Sequence, residues 1–487
     1  MTQSDVSAEK APNTVSPEKK PWIDISKQSI IKIIVCIAIG IYICNITPPP
    51  ELSKEAMYFM GIFIAAMLVM VLRALPEWLA ALIALILLVV FKVGPFATVF
   101  SPFAGTSIWL IIAAFGIAAV IGRTGLLKRI ALALLSLFPE SFRGQISALF
   151  VSGIVISPLI PSTLAKMSIF APFTASVSDQ MGYEKGSKGA AGLFMAQWCS
   201  AGLLGYAFYS GSFAVFMMLG LIPPEEQAFF HWGSWLATCA PWLIVMAVLS
   251  YIFIMIVYKP EQELKLTPNF TKNTLKELGP MSSNEKLAGI VLALVLLGWM
   301  TQSWHGYDAA IIALGGLILY ALVGLFKKED VVSTIPWGDL IYMLLIFSVA
   351  ALIGTLKINV WLQGILDPIL SPLFDTPYLL ILAICITTYI LRFFILSQFT
   401  IAIVIYAILS GLASAAGMNG ILIILITYIS GNIFMLDFQN VVYVTARTSS
   451  RNMVDQKRTL PYATAWLFIN LFGWWASVPV WRMLGLM

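Results

Sequence analysis

Long runs of apolar residues, separated by short polar stretches, repeat along the chain from residue 29 to its end. The runs are continuous rather than alternating, and most reach the roughly 18–25 residues a helix needs to cross a bilayer. Lipid-facing strands would show weaker alternation over about ten residues, so the pattern predicts helices. Eleven full spans are expected, at about 29–46, 56–73, 77–95, 106–122, 189–221, 233–258, 286–303, 308–326, 338–356, 420–446 and 461–484. Two further apolar regions, 144–178 and 377–416, are too long for one span, and each is interrupted near its middle by polar residues and Pro or Arg. Each predicts a re-entrant helical hairpin, which is tolerated only where protein or a water-filled cavity surrounds the broken backbone.

The order of elements then repeats. Residues 1–28 are rich in Ser, Pro, Glu and Lys and read as a disordered cytosolic tail. They are not a signal peptide, because the apolar stretch starts late and no small-residue cleavage site follows it. Residues 29–258 hold an extra first helix and a first repeat, 259–285 form a cytosolic linker, and 286–487 hold a second repeat. The stretch Phe103–Gly122 resembles Thr334–Gly354, with AAVIG at Ala118–Gly122 matching AALIG at Ala350–Gly354. Each half runs three spans, a hairpin, two spans. Five spans is an odd number, so the second copy lies upside down. Inverted repeats with helices broken at corresponding places mark secondary transporters.

Composition sharpens this picture. The chain is 60% hydrophobic and 11% charged, against about 45–50% and 25% in soluble domains. Lipid must therefore solvate much of the surface, and a soluble enzyme, a disordered chain and a fibrous protein are excluded. With the N-terminus inside, most of the 29 Lys and Arg fall in predicted cytosolic segments, such as Arg123, Lys128 and Arg129, and Lys265, Lys272 and Lys276. The acidic PPEE at Pro223–Glu226 falls outside. The five cysteines, Cys36, Cys44, Cys199, Cys239 and Cys385, sit in apolar stretches with no metal-site spacing and read as small buried hydrophobes. His231 and His305, beside span ends, are too few for a histidine-built metal site.

The chemistry should sit where the helices break. The first hairpin turns at ISPLIPSTLAK, Ile156–Lys166, where Pro158 and Pro161 remove backbone donors beside Ser157, Ser162 and Thr163. A helix that stops at depth leaves free N–H groups for an anion and free carbonyls for a small cation. A kinked lipid-facing helix would leave Lys166 unexplained, since a lysine in lipid is costly and faces a cavity. The second hairpin turns at LRFFILSQFT, Leu391–Thr400, with Arg392, Ser397, Gln398 and Thr400 in the equivalent place. Arg392 either pairs bidentately with a carboxylate, snorkels outward or caps a helix end. The span after each hairpin breaks too: at Leu203–Phe216, around Ser210, Gly211 and Ser212, and at Ile429–Val442, around Asn432, Asp437, Gln439 and Asn440. These seven polar or small positions, with Ser157, are the expected coupling-ion residues. Asp437 reads as the clearest acid deep in a span, expected to bind a coupling cation, carry a proton, or pair with Arg392 or Lys166.

At these residues the chain resembles the divalent anion:sodium symporter family, also called solute carrier family 13. Ser107–Leu132, Leu278–Lys286 and Tyr389–Phe394 carry the likeness, which runs over most of residues 50–484. Within that family it is similar to bacterial citrate/succinate and tartrate/succinate antiporters. The resemblance implies an all-α polytopic homodimer of the bacterial inner membrane with a cytoplasmic N-terminus, in which both hairpins move like an elevator against a scaffold. The family's tip motif is Ser-Asn-Thr. Here the tips read Ser162-Thr163-Leu164 and Ser397-Gln398-Phe399, and Ala165-Lys166 resembles the Ala-Arg of the antiporters. The expected activity is transport of a small di- or tricarboxylate such as succinate, malate, tartrate or citrate, by sodium symport or anion exchange. Ser162, Thr163, Lys166, Arg392, Ser397, Gln398 and Thr400 would bind it, with sodium or a proton as partner and no other cofactor. The rivals are a proton-coupled carrier of sulfate, a sulfonate or a neutral solute, a channel, and a membrane-embedded enzyme, for which no HExxH or paired-Asp motif exists.

Overall fold

The computed structural model describes residues 27–487, so the tail expected at 1–28 lies almost wholly outside the described residues. Among them there is no strand. Nine helices are long and apolar enough to cross a membrane, or ten if one bent pair counts as a span. The difference from the expected eleven has two causes. The spans expected at 77–95 and 308–326 are helices of only 14 residues each, Glu77–Val90 and Ala309–Leu322, and those at 189–221 and 420–446 are broken. Conversely, two of the nine are limbs of the hairpins.

In chain order the first half comprises α1 (Lys27–Asn45), α2 (Lys54–Val71), α3 (Glu77–Val90), α4 (Thr106–Thr124), α5 (Leu126–Leu135), α6 (Phe142–Ile156), α7 (Thr163–Met181), α8 (Lys188–Gln197), α9 (Phe213–Leu219) and α10 (Trp232–Val257). The connection holds α11 (Phe270–Glu277). The second half comprises α12 (Ser283–Met300), α13 (Ala309–Leu322), α14 (Trp337–Thr355), α15 (Ile358–Asp375), α16 (Pro377–Leu391), α17 (Gln398–Ala415), α18 (Ile421–Ser430), α19 (Val441–Ser449) and α20 (Gln456–Met483). After α1, each half runs three spans, a lateral helix (α5 or α15), a hairpin (α6–α7 or α16–α17), a broken span and a final span. The lateral helices were not among the expected elements, because each is amphipathic or Pro-interrupted rather than continuously apolar.

The two hairpins open on opposite faces. At the first, the ring of Phe142 at the start of α6 lies 5.8 Å from that of Tyr183 just past α7. Both ends also touch one piece of the connection: the Leu266 amide donates to the Glu140 carbonyl at 2.8 Å, and the Leu264 amide to the Tyr183 hydroxyl at 3.3 Å. Arg458, at the start of α20, donates to the Gly186 carbonyl on this connection face. The ends of the second hairpin lie at the far end of α20. Trp475 donates to the Tyr378 carbonyl at 2.9 Å, and Asn419 donates to the carbonyl of Leu486 at 2.9 Å. A 28-residue helix spans about 42 Å, so the hairpin mouths lie a membrane apart.

Packing follows residue size. Gly40 and Gly61 let α1 and α2 touch backbone to backbone: a Cβ on Gly40 would lie 2.9 Å from the Gly61 carbonyl oxygen. Indoles fill the joint of α10 and α20, where Trp242 and Trp474 stack at 5.1 Å and both are fully buried. Asn470 satisfies that joint by accepting from Trp242 and donating to Ser430 and Tyr389. The outward faces of α1, α10 and α13 instead expose Ile34, Tyr42, Ile244, Ile256, Ile311 and Leu322, as helices bathed in lipid do.

Candidate functional site

Each hairpin turns at a serine. Ile160 and Ser162 are extended, Ser162 caps α7 with its Oγ accepting from the Ala165 amide at 3.2 Å, and Ser397 caps α17 the same way toward Thr400 at 3.3 Å. A capping hydroxyl uses a lone pair and keeps its proton free to donate. The broken spans meet these tips. The chain leaves α8 through a π-helical turn, Trp198–Leu203, and a 3₁₀ turn, Leu204–Ala207, then runs irregularly to Ser212, which caps α9. The Phe213 amide donates to the Pro161 carbonyl at 2.7 Å, and Ser210 Oγ to the Pro158 carbonyl at 2.7 Å, tying break to tip. In the second half, α18 stops at Ser430 and the chain restarts at Asn440, which caps α19 through the Tyr443 amide.

Between these breaks lies a cavity of about 360 Å³. Thr163, Ser212, Ser397, Gln398, Thr400, Asn432, Gln439 and Asn440 line it, so eight of the residues expected from sequence share one wall. Tyr206, Tyr428, Phe213 and Phe399 complete it, and exposed Arg73 and Glu77 rim it on the connection face. Asn432 is the stitch between halves: its Oδ1 accepts from Tyr206 of the first half and Gln398 of the second, each at 3.2 Å. Tyr342 on α14 reaches the second tip, its hydroxyl 3.2 Å from Ser397 Oγ and 3.0 Å from Thr400 Oγ1. Two polar groups on this wall lack a hydrogen-bond partner among the described residues, buried Thr163 Oγ1 and Gln439 Nε2. Free donors on the wall of a cavity are what an oxygen-rich ligand requires.

The expected ligand cations stand behind this wall rather than in it. Lys166 is fully buried, and its ammonium donates to the Gly211 carbonyl at 2.9 Å. The seat depends on Gly205, where a Cβ would come within 2.6 Å of Nζ. Arg392 is likewise buried; its guanidinium donates to the carbonyls of Ile395, Leu396 and Gln439. Neither side chain lines the cavity. Each instead bridges the hairpin of its half to the broken span that follows, and neither has a carboxylate partner among the described residues. Ser157 also faces inward, donating to the Gly153 carbonyl at 2.8 Å.

Asp437 requires a larger correction. It starts a 3₁₀ turn, is about half exposed, and pairs with Arg447 at 2.7 Å, not with Lys166 or Arg392. The break in the second half carries the chain out to the connection face at this point, so a carboxylate that looks central in sequence ends at the surface. Tyr206, Tyr342, Tyr428, Phe213 and Phe399 were missed because aromatic residues within apolar runs carry no distinguishing signal. The position of Tyr206 and Phe213 beside Ser210, Gly211 and Ser212, of Phe399 beside Gln398 and of Tyr428 before Asn432 was the available clue; Tyr342 had none.

Comparison with known proteins places this geometry. Residues 27–475 match the family model described as the sodium:sulfate symporter transmembrane region. The chain is 29% identical over 352 residues to the inner membrane protein YbhI of Escherichia coli, covering 70% of this chain and 74% of that one. It is 28% identical over 351 residues to the chloroplastic dicarboxylate transporter 2 of Spinacia oleracea, covering 70% of this chain and 62% of that protein. Among solved structures, Neisseria gonorrhoeae MtrF shares the fold with a TM-score of 0.50 at 13% identity, over 92% of this chain and 93% of that one.

Proposed function

From the premise that the chain belongs to the sodium:sulfate symporter transmembrane family, and so is a multi-span secondary transporter and not an enzyme, we propose that it exchanges small organic anions of two or more negative charges across the membrane without sodium. The substrate class is a di- or tricarboxylate such as succinate, malate, tartrate or citrate. The relatives' printed activities support that class, as does a cavity of about 360 Å³ lined by hydroxyls and amides. Thr163, Ser397, Gln398, Thr400 and Gln439 donate to its oxygens. The basic connection face is the cytosolic one, on the ground that Lys and Arg gather there.

The observation that carries the exchange reading is the placement of Lys166 and Arg392. A sodium ion on the Gly211 or Gln439 carbonyl would sit beside the side-chain cation that already donates to that oxygen, and like-charge repulsion disfavours it there. These residues do not fit a coupling sodium there, and no step is routed through one. Two buried side-chain cations also bear on what can cross the membrane. Placing a cation at mid-bilayer costs about 2.5–3.5 kcal/mol, which is a ceiling for each of these hydrogen-bonded groups, so the empty pair costs at most roughly 5–7 kcal/mol. A bound dianion offsets both charges. The loaded hairpin body therefore moves against the remaining helices, as in an elevator, while the empty one stays, and each passage outward must be balanced by one inward. The assembly is a homodimer in this reading.

Thermal unfolding of the purified protein against a panel of carboxylates, sulfate and sulfonates, with and without sodium, tests it. A true ligand raises the melting temperature by mass action. Stabilisation by a dicarboxylate at equal concentration in sodium-free and sodium buffers is expected. Stabilisation by sulfate alone, or only when sodium is present, would refute the reading.

A further inference from the structure

We propose that the groove between α1, α2 and α3 is a binding site for one acyl chain of an anionic phospholipid, whose headgroup sits on Lys32. The groove encloses about 390 Å³, and its lining is wholly apolar apart from Cys44, including Ile33, Ile37, Ile41, Ile83, Leu87 and Phe91. It exists because small residues form its floor: Gly40 on α1, Gly61, Ala65 and Ala66 on α2, and Ala80 and Ala84 on α3. Along α1 it runs from Ile33 to Cys44, about 16 Å at helical rise, which is one leaflet of a hydrocarbon core about 30 Å thick.

Charge decides the occupant. At the connection-face end, Lys32 is exposed and its Nζ makes a long bond, 3.2 Å, to the Leu72 carbonyl. Leu72 lies between Val69 and Leu75, both of which line the groove, so the ammonium stands at the groove's mouth. Lys27 begins the same helix, and Arg73 follows Leu72. An ammonium holds three donors, and this one spends a single donor on protein among the described residues. The opposite end differs: Lys54 caps it at 2.6 Å from the Cys44 carbonyl and lies over the Tyr58 ring, so that charge is already engaged. A zwitterionic lipid, whose own ammonium offsets its phosphate, would gain less from the basic end, and a second copy of the apolar surface would gain nothing. A phosphate diester with net negative charge gains about 1 kcal/mol for each nearby cation, or about fivefold in affinity.

Native mass spectrometry of the delipidated full chain, titrated with phosphatidylglycerol or phosphatidylethanolamine of identical acyl chains, tests the site. The expected result is at least fivefold tighter binding of phosphatidylglycerol. Lys32→Gln should erase that preference while leaving the phosphatidylethanolamine affinity in place, and Ile83→Trp, which fills the groove from its half-exposed rim, should weaken both lipids. Thermal unfolding of both variants should match the parent, since Lys32 and Ile83 are surface residues. Equal affinity for the two lipids, or unchanged binding to Ile83→Trp, would overturn the proposal. So would an Ile37→Cys variant that cross-links two copies through the groove and loses lipid on doing so, because a protein neighbour would then be the occupant.

Discussion

Replacing Lys166 by Met removes the charge while nearly keeping the length of the side chain, and its two consequences have opposite signs. Folding should hardly suffer. The Gly211 carbonyl loses its donor, at about 1–3 kcal/mol for a buried unsatisfied acceptor, but an unpaired buried ammonium disappears, which relieves a desolvation cost of several kcal/mol. The melting temperature should therefore be unchanged or higher. Binding should weaken. Gly211 precedes Ser212, which lines the cavity, so a hydrogen bond, one residue step of about 3.8 Å and a contact of about 3 Å put the ammonium on the order of 10 Å from a bound carboxylate. At an effective dielectric constant of about 20 that is worth roughly 1.7 kcal/mol per unit charge, or about 15-fold in affinity. The empty body would also carry one cation fewer, lowering its barrier by at most about 3 kcal/mol and speeding net flux by up to about 100-fold. Dicarboxylate titrations by thermal shift read the first effect, and efflux from preloaded proteoliposomes into ligand-free buffer reads the second. A Lys166→Met protein that binds as the parent does and still exchanges one for one would show that Lys166 is only a strut between hairpin and broken span.

Arg392→Met should behave differently. It strips donors from the carbonyls of Ile395, Leu396 and Gln439, so it should lose roughly 3 kcal/mol or more of stability and unfold at lower temperature than Lys166→Met. Tyr342→Phe removes the hydroxyl shared by Ser397 and Thr400, about 1 kcal/mol. It should loosen the second tip from α14 and raise net efflux in the liposome assay while leaving exchange intact. Asp437→Asn should change neither substrate affinity nor exchange rate, because a half-exposed pair with Arg447 contributes at most about 1 kcal/mol; a tenfold loss of transport would reinstate it as an ion-coupling residue. Asp330 lies outside the spans, and hydrogen bonds from Arg123 hold its carboxyl down at about 2. The folded value is depressed below the ordinary one of about 3.9, so the stabilisation is complete above that value and is lost as pH falls through about 2. Arg123 is half exposed, so solvent screening keeps the effect of Asp330→Asn near 1 kcal/mol or less at pH 7. The gap between parent and variant in thermal unfolding should close toward pH 2.

Periodicity was enough to read the membrane class, the two interrupted hairpins and the breaks after them. Pro158 and Pro161 forbid a continuous helix wherever they fall, and polar residues in an apolar run must find protein or water. The same reasoning brought Thr163, Ser397, Gln398 and Asn432 onto one cavity wall, because residues beside helix breaks at matching depth have few other places to go. What failed was direction. Sequence places Lys166 four residues after Ser162 but cannot say on which side of α7 it projects, and packing against Gly205 turns it away from the cavity. Asp437 failed because an irregular segment climbs toward the surface at a rate no helical spacing describes. The lateral helices α5 and α15 escaped notice since α5 is short and amphipathic and α15, though 18 residues long, is interrupted by Pro368 and Pro372. Tyr206 and Tyr342 act through hydroxyls that an apolar count ignores.

The account stands on two resident cations taking the role of a coupling ion. Proteoliposomes loaded with labelled succinate in sodium-free buffer put this to the test when diluted into buffer with or without unlabelled succinate. Rapid release only when succinate is present outside, at a rate indifferent to added sodium, is the predicted result. Release that proceeds equally fast into ligand-free buffer, or that begins only once sodium is supplied, would contradict it.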